Sequence, residues 1–174
     1  VTERELLIDA IRRHQYDDTP RLVYADWLDE HAERDFDRAT AEFIRLSCRP
    51  FHGASYTPPR QACAWLNLNW WRLVPALMAE HCPNFHTEAL PGRVVANRVT
   101  QVFRFERPRP AAGFRANQAA RKEVRLTIHF GRGFAFHVVT EPWCETLIAN
   151  AFARDGYYPG QVSWAFKRER AVRA

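Results

Sequence analysis

Two Cys-x3-His pairs, Cys48 with His52 and Cys82 with His86, are the residues whose types and spacing come nearest to metal chemistry. Brought together, they would offer two thiolates and two imidazoles, the donor set of a tetrahedral structural zinc. Neither pair sits in a tight glycine-rich knuckle, so the expectation is two buried thiols, two surface histidines and no bound cofactor. Asp26, Glu30 and His31 form a second group. Carboxylates four residues apart share a helix face, where they could hold a hard cation or exchange protons in a metal-dependent hydrolase. Arg21, Arg34 and Arg45 are near enough in sequence to neutralise them, which makes an ion-pair network between helices the plainer expectation. Ser47, Ser55 and Ser163 lie outside any Gly-x-Ser-x-Gly elbow, and neither a phosphate loop nor a dinucleotide fingerprint occurs. The sequence nominates no catalytic residue.

A third constellation is cationic. Residues 93 to 132 carry ten Arg and Lys against two Glu, whereas residues 1 to 47 carry seven Arg against twelve Asp and Glu. The basic set is Arg98, Arg104, Arg107, Arg109, Arg115, Arg121, Lys122, Arg125 and Arg132, interleaved with Phe103, Phe105 and Phe114. Guanidinium groups among aromatic rings suit the phosphates and unstacked bases of single-stranded RNA or DNA. The same charges could instead dock on the acidic helices of this chain or of a neighbour. His129 and His137 flank Gly131-Arg132-Gly133 at comparable depths, facing each other across a hairpin or serving as ordinary strand residues.

The elements that must position these groups can be read from periodicity. Thr2 and Glu5 form a capping box for a helix over about Glu3 to His14. Asp17-Asp18-Thr19 supplies capping oxygens and Pro20 a first helical residue, so a second helix carries Leu22, Val23, Tyr24, Trp27 and Leu28 as its apolar stripe. A third helix begins near Asp37, with Ala39, Phe43, Ile44 and Leu46 inward. Arg60 to Cys82 is helical, with a bend or a second helix after Asn69. Strand-like alternation follows over Arg93 to Arg107, Glu123 to Phe130 and Phe134 to Thr140, with Gly131-Arg132-Gly133 as a hairpin turn. Pro108 to Lys122 reads as a long loop. Pro142 opens a late helix bearing Trp143, Leu147, Ile148, Ala151 and Phe152, and Val162, Trp164 and Phe166 alternate as a last strand.

The run Asp17 to His31, with its Thr-Pro-Arg-Leu-Val-Tyr-Ala-Asp-Trp-Leu core, and the later Ala41-Glu42-Phe43-Ile44-Arg45-Leu46-Ser47-Cys48 resemble the repeat-companion domain of planctomycete and myxobacterial proteins. Gly131-Arg132-Gly133-Phe134 adds a looser similarity. The resemblance implies an interaction module that accompanies repeat arrays, although this chain carries no such repeats. It implies no catalytic residues.

At 174 residues and 47% apolar composition, the chain can bury one ordinary core. No apolar run approaches the roughly 20 residues that span a bilayer. Cys48, Cys63, Cys82 and Cys144 lack disulfide-scaffold spacing and read as reduced thiols. The expectation is one α+β domain: a helical half over 1–82 packed on a small, mainly antiparallel sheet within 83–166, one late helix, and a basic tail over 167–174. Its expected role is a non-catalytic interaction or scaffolding module in a larger assembly, cytoplasmic, with a protein partner and no membrane. The alternative is an accessory nucleic-acid-binding protein.

Overall fold

The computed structural model describes residues 1–48, 57–86, 92–105 and 122–155. Helix α1 (Glu3–Arg13) starts at the anticipated capping box: Thr2 Oγ1 accepts from the Glu5 N–H at 3.2 Å, and Glu5 Oε2 accepts from the Thr2 N–H at 2.7 Å. Helices α2 (Thr19–His31) and α3 (Asp35–Ser47) pack side by side, and α3 packs in turn on α4 (Arg60–His81). No second helix begins after Asn69; one helix runs through Pro75. Proline removes one backbone donor there. Val74, Leu77 and Met78, all buried around it, hold the helix against its neighbours.

The stripe of α2 also differs from expectation. Leu22 and Val23 are exposed, whereas Arg21 is buried, donating to the carbonyls of Asp17 at 2.6 Å and Gln15 at 2.8 Å. Those carbonyls precede the helix and need donors. Arg21 therefore closes the α1–α2 corner with its guanidinium while its stem fills the interior.

Among the described residues five antiparallel strands form one sheet: β1 (Phe85–His86), β2 (Arg93–Val95), β3 (Arg98–Phe105), β4 (Lys122–Gly131) and β5 (Phe134–Val139). β3 pairs with β4 on one side and β4 with β5 beyond it, while β2 and β1 share the other side of β3. The single strand expected over Arg93 to Arg107 is thus a hairpin. Ala96, with φ 54°, turns it without a glycine. Asn97 holds the turn: its Nδ2 donates to the Phe130 carbonyl at 2.6 Å, and its own carbonyl accepts from the Phe130 N–H at 2.9 Å.

Alternation sends Val99, Phe103 and Phe105 of β3 and Val124, Leu126, Ile128 and Phe130 of β4 to the helices. There they join Ile11, Tyr24, Leu28, Phe43, Ile44, Leu66 and Met78 in one core. Each such side chain contributes about 1.5–3 kcal/mol by leaving water. A 3-10 turn (Pro142–Cys144) leads into α5 (Glu145–Asp155), whose Ile148 and Phe152 are buried, Phe152 with its ring centroid 5.2 Å from that of His81. Trp143 and Leu147, expected on that apolar face, are exposed. The architecture is α+β, as expected. The expected long loop up to residue 121, the last strand and the basic tail lie outside the described residues.

The β4–β5 turn is where sheet meets helices. Arg132 (φ 49°) and Gly133 (φ 86°) form it, and Gly133 presses on α3 so closely that a Cβ would stand 2.6 Å from Ile44 Cα. Phe134 stacks on Tyr24 at 6.2 Å, and Cys48 Sγ donates to the Arg132 carbonyl at 3.7 Å. The stretches 17–48 and 131–134 are thus two sides of one contact.

Candidate functional site

The other face of the sheet carries the polar half of each strand. Four cross-strand rows can be followed on it. Val95, Arg98, His129 and His137 make the first; Arg93, Thr100, Thr127 and Val139 the second; Val102 and Arg125 the third; His86, Arg104 and Glu123 the fourth. Arg93, Arg98 and Arg125 are exposed, and Arg104 is half-buried. Thr100 and Thr127 share a hydroxyl hydrogen bond of 2.8 Å, which knits the second row. A groove of about 300 Å³ lies along this face between Val102, Glu123, Arg125, Thr127, Val139, Thr140 and Glu141.

Strand β5 departs from regular pairing where it matters. Ala135 pairs with Phe130 and His137 with His129, so Phe136 is one residue too many. Such a bulge turns consecutive side chains toward the same face. Phe136 and His137 consequently both stand beside His129, with ring centroids 6.2 Å and 4.8 Å from it. Phe136 is 46% exposed. Opposite it, Gly131 leaves the room the ring needs: a Cβ there would come within 2.8 Å of Phe136 Cδ1. Burial, the neighbouring His137 and the Arg98 guanidinium, in that order, push the His129 imidazole down to about 4. Burial lowers His137 as well.

Of the nine cationic residues expected to bind nucleic acid, Arg98, Arg104 and Arg125 share this face, and Lys122 opens β4. Arg107, Arg109, Arg115 and Arg121 lie outside the described residues. Arg132 is a correction. It is 8% exposed, and its Nη1 donates to Asp18 Oδ1 at 2.6 Å. Its place in the turn directs it into the helical half, where it offsets a buried carboxylate instead of meeting solvent.

Six carboxylates of the helical half are paired from within it. Arg45 bridges Asp26 at 2.8 Å and Asp29 at 2.7 Å; Arg72 bridges Asp35 at 2.8 Å and Glu42 at 2.9 Å; Arg34 bridges Asp37 at 3.0 Å and Glu80 at 3.4 Å. Ion pairing between α2 and α3 was expected of Arg21, Arg34 and Arg45 together. Arg45 alone makes it, since Arg21 and Arg34 are committed elsewhere. His31 stacks on Trp27 at 4.7 Å, with Nδ1 2.9 Å from the Trp27 carbonyl. Asp26, Glu30 and His31 are all exposed along α2.

Cys48 ends α3 and Cys82 ends α4, both buried, while His86 is exposed on β1 and His52 lies outside the described residues. Burial and the nearby Asp18 carboxylate push the Cys48 thiol up to about 12, which keeps its proton in place. Among the described residues no three His, Cys, Asp or Glu side chains converge as metal ligands. No helix among them is long and apolar enough to cross a membrane.

Three contributors to the outer face were not anticipated. Arg93 belongs to the expected strand over Arg93 to Arg107 but not to the expected binding set, Phe136 lies within the expected strand over Phe134 to Thr140 with no role of its own, and the Thr100–Thr127 pair depends on register. The bulge has no local sequence signal, because it arises from how β5 is paired at both of its ends. No family model matches the chain, and neither the curated proteins nor the solved structures gave a match.

Proposed function

We propose that the chain is a non-catalytic binding module that contacts single-stranded nucleic acid with the outer face of its sheet. One observation carries this reading. The arginines of that face point away from the acidic helices, six of whose carboxylates are already paired with Arg34, Arg45 and Arg72. Arg93, Arg98 and Arg125 are exposed on that face, Arg98 in one row with two imidazoles that stand beside an exposed phenyl ring. An antiparallel sheet that mixes guanidinium groups with rings can follow a phosphate backbone and stack bases at once. The engagement of Asp26 by Arg45 and of His31 by Trp27 favours a structural use of the α2 acidic group over a hydrolytic one.

The test is binding of labelled oligouridylate and oligothymidylate across a salt series. Affinity should fall steeply with salt, by a slope near 0.7 per phosphate contact for a single strand. Replacing Arg93, Arg98 and Arg125 together by Ala should lower that slope by about two. Unchanged binding by the triple variant would sink the proposal.

A second reading, docking on a protein within a larger assembly, draws on a different surface. Leu68 and Trp71, one helical turn apart on α4, are 72% and 59% exposed. Large apolar side chains this open suit a protein contact. A chain that elutes free and monomeric from native lysate at its normal abundance would count strongly against it.

A further inference from the structure

The first cross-strand row of the outer face differs chemically from the rest. Arg98, His129 and His137 are successive partners across β3, β4 and β5. Direct partners hold their Cβ atoms about 4.5–5.5 Å apart, so one small group lodged above His129 is within reach of all three side chains. Val95 of β2 closes the row beyond Arg98, and the bulge sets the Phe136 ring edge-on to His129.

The charges around the row decide what it can hold. From β3 it is faced by Arg98 and from β5 by His137, with Arg93 in the next row on β2. The carboxylates of this face among the described residues are Glu123 and Glu141, six and four residues along the chain from His129 and His137. Glu141 already accepts from Trp143 Nε1 at 3.0 Å. A divalent metal, the other ligand that two imidazoles attract, would sit beside the Arg98 guanidinium and be repelled. An anion is attracted by Arg98 and also counters the burial and the cationic neighbours that hold His129 neutral.

We propose that the Arg98–His129–His137 row is a phosphate subsite, which takes up one phosphate group together with a proton from solvent, while Phe136 packs on the adjoining base or sugar. The nucleic-acid reading of the face supplies the source of that phosphate, and this inference rests on it to that extent. No covalent step is involved: the proton adds to an imidazole nitrogen and the phosphate remains intact. In the free protein His129 is held near 4. A bound phosphate that returns it to an ordinary value near 6.5 couples binding to one proton. Affinity should then be about tenfold higher at pH 5.5 than at pH 7.5. Arginine contacts alone give no such ratio, because guanidinium stays charged throughout.

The experiment compares oligouridylate affinity at pH 5.5 and 7.5 at constant ionic strength for the full chain, His129→Gln and His137→Gln. In parallel, inorganic phosphate is titrated while the imidazole resonances are followed by NMR. The expected result is a roughly tenfold ratio that drops below about twofold in His129→Gln, with both imidazole resonances moved by phosphate. Equal affinity at the two pH values, or a ratio retained in both variants, overturns the subsite and leaves the nucleic-acid reading standing. Absence of oligonucleotide binding with the imidazole shifts intact does the reverse, keeping the subsite for phosphate from another source. Neither binding nor shifts overturns both.

Discussion

Cutting the Asp18–Arg132 ion pair from its two sides should give unequal losses of stability. Each side chain is about 10% exposed, and the contact is 2.6 Å. Breaking a buried pair generally costs about 3–5 kcal/mol, mostly because the survivor stays buried without a partner. In Arg132→Ala the survivor is Asp18, which still has the Arg21 guanidinium at 3.9 Å. The loss should fall at the bottom of the range, about 3 kcal/mol. Asp18→Ala instead leaves the Arg21 and Arg132 guanidinium groups buried with their shared carboxylate gone, and about 4–5 kcal/mol is expected. Asp18 makes no side-chain cap to α2, so that loss reports the pair and not the helix end. The double variant should be less damaging than Asp18→Ala alone, a coupling that a double-mutant cycle isolates. Urea unfolding followed by tryptophan fluorescence measures all three variants, with the slope m unchanged. Arg132→Ala proving as costly as Asp18→Ala, or either costing under about 1 kcal/mol, would refute the argument.

Gly133→Ala should destabilise by more than the ~1–2 kcal/mol of a left-handed Cβ alone, because that Cβ also meets the Ile44 backbone; thermal unfolding measures it. Stability should decline on acidification from about pH 6.5 toward pH 4. His129 lies at about 4 in the folded chain, against an ordinary 6.5, so the unfolded chain binds the additional proton across that window. With the ring half-exposed, the loss should be on the order of 1 kcal/mol, and it should vanish from the pH profile of His129→Gln. Cys48 should resist a thiol reagent at pH 8 in the native chain and react once denatured, a difference readable by mass spectrometry.

Local chemistry made much of the helical half legible. The Thr2–Glu5 box and the Gly131-Arg132-Gly133 turn are complete within a few residues, and both form as the sequence indicates. The sequence is silent where distant groups decide the outcome. Ala96 turns without a glycine because Asn97 is held by Phe130, 33 residues away. Arg21 is buried because carbonyls at the α1–α2 corner need donors, which no apolar periodicity reveals. The site shows the same division. Alternation puts Arg98, Arg104 and Arg125 on one face, but the outward placement of Phe136 follows from pairing on both sides of the bulge. Arg132 looked cationic and available until the turn delivered it to Asp18.

The contact between the β4–β5 turn and α2–α3 also bears on the order of folding. Asp18 and Arg132 are 114 residues apart, whereas α1, α2 and α3 pack through neighbours in sequence. Contacts between sequence neighbours close small loops and form early; a contact across most of the chain must wait. The helical half should assemble first, with the Asp18 carboxylate and the seat on Ile44 open to water until the turn arrives. Refolding of Gly133→Ala should therefore slow at this docking step, leaving a helical intermediate whose exposed seat is the place where a second molecule's turn could enter in exchange.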